Sequence, residues 1–278
     1  MTLNFKKISF ASKLSYSYNI TFNCYRWQQK YQRLYICRYC LCRYKIVFLV
    51  KNMSVVEWEL NENIGLEVNS PQAKFAVCFL HGLGASADDF MQIANMMFAE
   101  LDVAFNCLLA QADKIPVSIN QNFVMPAWYD IYSLTDFTQQ DVVGMQNSAQ
   151  KILTWVESQI SRGVVAKNVF LIGFSQGGAL ALFSVLSGIV KVGNVIGIGT
   201  YLPAAYYLDE IDCFTDFDLT LMHGRLDSVI TPATALVSAK KLSSVLNKKI
   251  DIEWSSNEHN ITREQIASIM TILKQKNV

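Results

Sequence analysis

The feature that most constrains the fold of this 278-residue chain is a series of short runs that are apolar at nearly every position. A strand with one solvent-facing side alternates apolar and polar residues, whereas a strand covered on both faces reads as a continuous apolar run. The runs therefore predict a sheet that lies between two helical layers. They occupy residues 74–80, 104–109, 169–174, 192–198, 219–222 and 250–254.

Longer segments with helical periodicity separate these runs. In residues 141–162 the apolar side chains recur at steps of three and four, which marks one helix face, and Gly163 ends the pattern. Alternating strands and helices predict an α/β fold: a compact single domain with a mostly parallel central sheet and helices on both faces. The other predicted helices span residues 86–99, 176–186, 232–246 and 262–274.

One long segment, residues 113–137, lacks periodicity and contains Pro116 and Pro126. Structureless loops of this length are uncommon unless they are functional or disordered, and its aromatic residues disfavour disorder. We therefore predict a loop that folds over the functional site. In sheets of this kind the site lies beyond the carboxyl ends of the strands.

Charge divides the chain into two parts. Residues 1–52 contain ten Lys or Arg residues and no acid, whereas residues 53–278 hold the other 14 basic residues and all 23 acids, a net charge of −9. We predict a folded α/β domain over 53–278, which holds any functional site, and a basic extension over 1–52 that is disordered or not native, such as sequence read before a start at Met53. A transit segment and a nucleic-acid-binding arm are the alternatives.

The composition of residues 53–278 excludes several functional classes. Their negative charge is unlike that of a nucleic-acid-binding surface. No stretch approaches the roughly 18 apolar residues that a membrane span needs. With 51% hydrophobic and 17% charged residues, the chain is too apolar to be disordered. These features predict a soluble globular protein.

A G-x-S-x-G sequence ends the apolar run at 169–174, with Ser175 at its centre and a small-residue helix after it. This is the strand–turn–helix context of a nucleophile elbow, in which a strained turn lifts the Ser hydroxyl above the sheet. A Ser hydroxyl needs an adjacent base to become a nucleophile. The motif therefore predicts that the base is a histidine elsewhere in the chain.

The chain has three histidines, so the base can be identified by elimination. His81 precedes a glycine turn of the kind that supplies an oxyanion N–H, and His223 ends a strand. His259 alone follows both Ser175 and a strand-end acid, Asp227, in the order Ser, acid, His that this fold uses. We predict Ser175 as nucleophile, His259 as base and Asp227 as its orienting acid, with backbone N–H groups of Leu83 and Gln176 as oxyanion hole.

Several segments together resemble the phospholipase/carboxylesterase family, which includes the acyl-protein thioesterases. They are HGLGASADDF, QADKIPVSIN, AWYDI, GFSQGG, YLP and HGRLDSVI, spread in consistent order over residues 81–230. The resemblance covers roughly residues 65–275 and implies the α/β-hydrolase fold. It also implies the same triad and oxyanion hole, and places Trp128 of AWYDI and Leu202 of YLP on the substrate side.

The resemblance implies a serine hydrolase of short- to medium-chain acyl esters or thioesters that works through an acyl-enzyme. An acylated protein or a lysophospholipid is a possible substrate, and the enzyme is expected as a monomer or homodimer, with no cofactor, metal or nucleic acid. Two alternatives stay open. One is a lysophospholipase on the same scaffold, and the other is an inactive hydrolase-like binding module.

Three features predict a cytoplasmic enzyme. No signal peptide is visible, and residues 53–278 contain an odd, sparse set of cysteines, Cys78, Cys107 and Cys213. The glycosylation sequon that begins at Asn260 directly follows His259, so a glycan there would crowd the site in a secretory lumen.

Overall fold

The computed structural model describes residues 45–49, 55–133 and 140–276, with side chains from residue 56 onward. In chain order its strands and helices alternate over most of this length. They are β1 Lys45–Leu49, β2 Val55–Asn61, β3 Gly65–Val68, β4 Phe75–Leu80, α1 Met91–Glu100, β5 Phe105–Ala110, β6 Lys114–Val117, β7 Phe123–Pro126, α2 Val142–Ser161, β8 Val169–Phe174, α3 Gln176–Leu186, β9 Asn194–Ile198, α4 Ala205–Leu208, β10 Asp218–Gly224, α5 Pro232–Val245, β11 Ile252–Ser255 and α6 Arg263–Lys276.

Nine of the described strands form one sheet in the order β1-β2-β3-β5-β4-β8-β9-β10-β11. The six strands from β5 to β11 in this order are parallel, and β1, β2 and β3 are antiparallel at one end. Each of the six parallel strands overlaps one of the apolar runs. The predicted α/β fold with a mostly parallel sheet is therefore confirmed.

Alternate residues of the central strand β4 feed two separate hydrophobic cores. Ala76, Cys78 and Leu80 pack with helices α2, α3 and α5, whereas Phe79 and its neighbours of the same parity pack with α1 and α6. Every residue of this strand is buried. Successive side chains of the strand point to opposite faces of the sheet, and both faces are covered by helices. The continuous apolar run therefore reflects helices on both faces, as predicted.

The described structure departs from the sequence expectations in two segments. Residues 55–68 form two antiparallel strands that the apolar runs did not indicate. Within the predicted loop at 113–137, β6 and β7 pair as an antiparallel hairpin through the register Lys114 with Pro126 to Val117 with Phe123. Pro116 and Pro126 fit this hairpin because both of its strands are edge strands. A proline, which has no backbone N–H to donate, is tolerated on the unpaired side of an edge strand.

The domain boundary predicted at residue 52 stays a prediction. Residues 1–44 and 50–54 lie outside the described residues, while Lys45–Leu49 pairs with β2 as the outermost strand of the sheet. Of the helices in the described part of the chain, none combines the length and the apolar character required to cross a bilayer.

Candidate active site

Ser175 stands in a sharp turn between β8 and α3. Its backbone has φ 53° and ψ −119°, a conformation that a residue with a side chain adopts only under strain. The turn is held from both sides, because the N–H of Ser175 donates to the carbonyl of Ile198 (2.9 Å) and the hydroxyl of Thr200 donates to the carbonyl of Ser175 (2.8 Å). The strand–turn–helix predicted from G-x-S-x-G is therefore present.

The glycines of the motif allow backbone to pack on backbone. A Cβ on Gly173 would lie 2.4 Å from the backbone of Gly177, and a Cβ on Gly177 would lie 2.1 Å from the carbonyl oxygen of Leu80 on β4. Such distances are far below van der Waals contact. Helix α3 consequently begins directly against the ends of β8 and β4, which brings Ser175 to the carboxyl edge of the sheet.

The structure brings together the three side chains predicted as a triad. Nε2 of His259 lies 3.0 Å from Oγ of Ser175, and Nδ1 of His259 lies 2.7 Å from Oδ2 of Asp227. The carboxylate is buried, whereas the imidazole keeps 17% of its surface exposed. Since a carboxylate oxygen can only accept, Nδ1 carries the hydrogen, and Nε2 of the neutral ring is free to accept the Ser proton.

Asp227 is fixed by its own loop. Its Oδ1 accepts hydrogen bonds from the backbone N–H groups of Val229 (2.9 Å) and Ile230 (2.8 Å). One oxygen is thereby anchored to the backbone while the other faces His259. This division holds the carboxylate in a single orientation toward the imidazole.

His81 orders the glycine turn, and none of its described hydrogen bonds reaches Ser175. Its Nδ1 donates to the carbonyl of Gly82 (2.7 Å), and its Nε2 accepts from the N–H of Ala112 (3.1 Å). Burial lowers the pKa of His81, and an N–H aimed at Nε2 also requires the neutral ring. His81 thus serves the turn, in agreement with its position in the sequence.

The two predicted oxyanion donors belong to elements that meet at Ser175. Gln176 is the first residue of α3, so its N–H has no acceptor within the helix. Leu83 follows Gly82, on which a Cβ would lie 3.5 Å from Cβ of Ser175. The turn is further tied down by a hydrogen bond from the N–H of Gly84 to the carbonyl of Pro126 (2.8 Å), which links it to the β6–β7 hairpin.

The side chain of Gln176 binds the strap, the name used here for residues 127–131. Its Oε1 accepts from the N–H of Trp128 (3.2 Å) and its Nε2 donates to the carbonyl of Tyr129 (2.8 Å). The indole N–H of Trp128 donates to the carbonyl of His81 (2.7 Å), and the ring is only 4% exposed. Trp128 is therefore buried where the strap meets the glycine turn that follows His81.

Leu202, the other residue predicted on the substrate side, is also buried. Its N–H donates to the hydroxyl of Ser238 on α5 (3.0 Å), in the segment that follows β9. The hairpin carries more exposed apolar side chains, of which Phe123 is 68% and Val124 is 56% exposed. Contacts of Trp128 and Leu202 with substrate stay predictions.

Sequence reasoning missed Phe174, the residue that precedes Ser175. Its ring centroid lies 4.7 Å from that of His259, and the same ring lies within 3.3 Å of the Cβ positions of Gly82 and Gly199. One side chain therefore supports the base and two of the turns around it. The sequence marks Phe174 only as the second residue of G-x-S-x-G, and the motif does not specify the residue type at that position.

The described part of the chain contains no cluster of three or more His, Cys, Asp or Glu side chains that could hold a metal ion. The polar groups at the centre of the site are instead engaged with one another, as Ser175, His259 and Asp227 are. This arrangement can accept a proton from a hydroxyl and return it, which is the chemistry of acyl transfer.

Comparison with known proteins identifies the family of the chain. The family described as Phospholipase/Carboxylesterase matches residues 63–277, more than three quarters of the chain. The chain is 28% identical over 226 residues to acyl-protein thioesterase 1 of Candida albicans, covering 76% of this chain and 96% of that protein. It is 26% identical to acyl-protein thioesterase 1 of Schizosaccharomyces pombe, covering 69% and 87% respectively.

Among solved structures, the fold is similar to that of Arabidopsis thaliana SOBER1. The TM-score is 0.65 at 22% identity, with 73% of this chain and 99% of that chain covered. At this identity the likeness concerns the arrangement of strands and helices.

Proposed function

Because the chain belongs to the phospholipase/carboxylesterase family and is thereby a hydrolase, we propose that it cleaves short- to medium-chain acyl esters or thioesters through an acyl-enzyme on Ser175. The observation that carries the proposal is the continuous chain of hydrogen bonds from Ser175 through His259 to Asp227. Relatives named acyl-protein thioesterase 1 support acyl substrates.

In the proposed mechanism, Oγ of Ser175 attacks the acyl carbonyl while Nε2 of His259 takes its proton. The imidazolium then protonates the leaving alcohol or thiol, and a water activated by the same nitrogen hydrolyses the acyl-enzyme. Asp227 holds Nδ1–H of His259 and stabilises the imidazolium charge through a contact of 2.7 Å. The first proton transfer, from Oγ of Ser175 to Nε2 of His259, thus uses a contact already formed in the structure.

The N–H groups of Gln176 and Leu83 are proposed to stabilise the oxyanion of the tetrahedral intermediate. One such donor typically lowers the barrier by about 3–4 kcal/mol. The hairpin is hydrogen-bonded to the glycine turn that carries Leu83, and its exposed Phe123 and Val124 are proposed to offer apolar surface for an acyl chain. The buried side chains of Trp128 and Leu202 are proposed to lie beneath this surface on the substrate side.

The test combines a covalent probe with a substrate panel. A fluorophosphonate should label Ser175, and p-nitrophenyl esters from acetate to palmitate, together with acyl-CoA and lysophospholipid, should give the highest kcat/KM for short to medium acyl chains. Preference for lysophospholipid would favour the lysophospholipase alternative. Absence of both labelling and hydrolysis would favour a binding module and contradict the proposal.

Removal of residues 1–52 should leave activity unchanged and the domain folded, consistent with the proposed domain boundary. The described part of that segment, β1, is separated from β4 by three strands and is the outermost of the described strands of the sheet. Its loss exposes β2, whose Glu57 and Glu59 disfavour edge-to-edge association. Esterase assays and thermal melts of 53–278 check this, and an insoluble product would contradict it.

A longer deletion provides the control. Removing residues 1–68 also takes away β2 and β3, including Trp58, which is completely buried in the core that contains α1. Deleting such a side chain typically costs about 3–5 kcal/mol even without the loss of the strands. This shorter protein should therefore be unstable or insoluble.

We also propose that the enzyme is cytoplasmic and that its cysteines remain thiols. Cys78 on β4 and Cys107 on β5 feed opposite cores, so their side chains point to opposite faces of the sheet and cannot pair. Cys213 lies in the segment between α4 and β10. Titration of denatured, unreduced 53–278 should find three thiols, and finding a single one would overturn the prediction.

A further inference from the structure

A second imidazole lies behind the acid of the triad. His223, near the end of β10, is only 2% exposed, and the proposed mechanism assigns it no role. Its Nε2 lies 2.8 Å from the carbonyl oxygen of Ile230 and 3.5 Å from Oδ2 of Asp227. This is the same carboxylate oxygen that faces His259.

The hydrogen-bond partners of His223 define its tautomer. A carbonyl oxygen only accepts, so Nε2 carries the hydrogen. Burial lowers the pKa of His223, which keeps the ring neutral. The group behind Asp227 is therefore a neutral donor whose N–H lies near both the Ile230 carbonyl and the carboxylate.

Ile230 connects the two contacts. Its N–H donates to Oδ1 of Asp227 (2.8 Å), while its carbonyl accepts from His223. Ile230 therefore ties the acid to the imidazole by two hydrogen bonds, and Nε2 of His223 lies 3.5 Å from Oδ2 of Asp227. Without the imidazole, the buried Ile230 carbonyl would lose its donor, and the carboxylate would lose a nearby dipole.

We propose that His223 is a positioning residue of the triad, whose Nε2–H fixes the loop through Ile230 and lies against Oδ2 of Asp227, so that this oxygen stays aligned with Nδ1 of His259. The inference rests on the proposed function, because it takes Asp227 as the acid that orients the base. It adds a residue that acts through Asp227 and touches no substrate.

The charges around His223 are few and can be named. Asp227 and His259 act on it from the two loops. From β11, the Trp254 ring packs edge-on against it, and Arg225 lies over that ring at 5.2 Å. On another side is a small cavity without titratable neighbours, lined besides His223 by Gly197, Thr200, Leu221, Met222, Ala235 and Ile252.

The test compares His223→Leu with His223→Gln in the full chain. Leucine removes the donor, whereas the amide nitrogen of glutamine can occupy the place of Nε2. For His223→Leu we expect kcat to fall about tenfold or more, with KM nearly unchanged. His223→Gln should recover most of this loss, because it restores a donor to Ile230.

The pH profile separates positioning from a general loss of packing. Without the donor, the charge of Asp227 is less compensated, which favours the imidazolium of His259. The base then loses its neutral form at a higher pH, so the acidic limb of kcat/KM should move up by about half a unit in His223→Leu. In His223→Gln the limb should stay near that of wild type.

A spectroscopic measurement on the wild-type protein does not depend on activity. The chain has three histidines, so a ¹H–¹⁵N spectrum of the imidazoles, recorded on protein without a histidine tag, can be assigned with the His223 variants. Wild type should show His223 protonated at Nε2 and His259 at Nδ1. An Nδ1–H tautomer for His223 would overturn the inference.

The outcomes distinguish this inference from the proposed function. A wild-type protein without hydrolysis or probe labelling would contradict the function, while the tautomer spectrum would still test the contact of His223 with Ile230. An active wild type whose leucine variant keeps its kcat and pH profile would contradict the positioning role alone. Equal losses in the leucine and glutamine variants, with the acidic limb unmoved, would do the same.

Discussion

Ser175→Ala is expected to lower ester hydrolysis by at least about three orders of magnitude, because the acyl-enzyme can no longer form. The fold should persist, since the hydroxyl contacts only His259 among the hydrogen bonds described, and the backbone bonds to Ile198 and from Thr200 remain. The measurements are kcat/KM on a p-nitrophenyl ester, fluorophosphonate labelling and a thermal melt.

A serine at the far end of the same helix serves as the control. Ser187 caps the carboxyl end of α3, and its hydroxyl donates to the carbonyl of Ser184 (3.3 Å). Ser187→Ala should keep full activity and full labelling. Residual hydrolysis by Ser175→Ala above about 1% of wild type would argue against Ser175 as the nucleophile.

The second large effect is on stability. Gly177→Ala places a methyl group 2.1 Å from the carbonyl oxygen of Leu80 and 2.6 Å from that of His81. Both obstacles are backbone atoms, so α3 must move away from β4. We expect a loss of about 3 kcal/mol or more, which lowers the melting temperature by roughly 6–12 °C. Activity should fall with it, because the shift separates Ser175 from the oxyanion turn.

Gly188→Ala is the matched comparison. Gly188 follows the residue that caps the carboxyl end of α3. A Cβ at this position would meet nothing within 4 Å, so only the positive φ of 72° disfavours a side chain. Its cost should be about 1–2 kcal/mol, with activity retained. A Gly177→Ala protein that melts at the wild-type temperature would mean that the helix does not press on β4.

The central sheet was predictable because burial on both faces leaves a direct trace in the sequence. Strand β8 and helix α3 were predicted with the bounds that the structure shows, and α2 to within one residue at each end. The antiparallel strands β2 and β3 were missed because they carry Glu57, Glu59 and Glu67 and lie toward the sheet edge. The hairpin was missed because Phe123 and Val124 are exposed, so no buried periodicity marked it.

The positions of the predicted triad residues were inferable for a different reason. Three histidines and a fixed chain order left one arrangement, and the structure brings those residues into contact. The supporting contacts were beyond sequence reasoning. Phe174 reaches His259 only after the sheet has placed the ends of β8 and β10 on either side of β9, and His223 reaches Ile230 through the fold of the loop after β10.

Gln176 links two tasks that protein engineers usually try to change separately. Its amide side chain forms hydrogen bonds with the backbone of Trp128 and Tyr129 in the strap. Its own backbone N–H is the first of α3 and directly follows Ser175. Any redesign of the strap to accept a different acyl chain pulls on the peptide group proposed to receive the oxyanion. If the proposed oxyanion hole is correct, selectivity and turnover are therefore coupled through one residue. Exposed side chains of the hairpin such as Phe123 and Val124, which make no contact with Gln176 among the hydrogen bonds described, can be changed without touching this link.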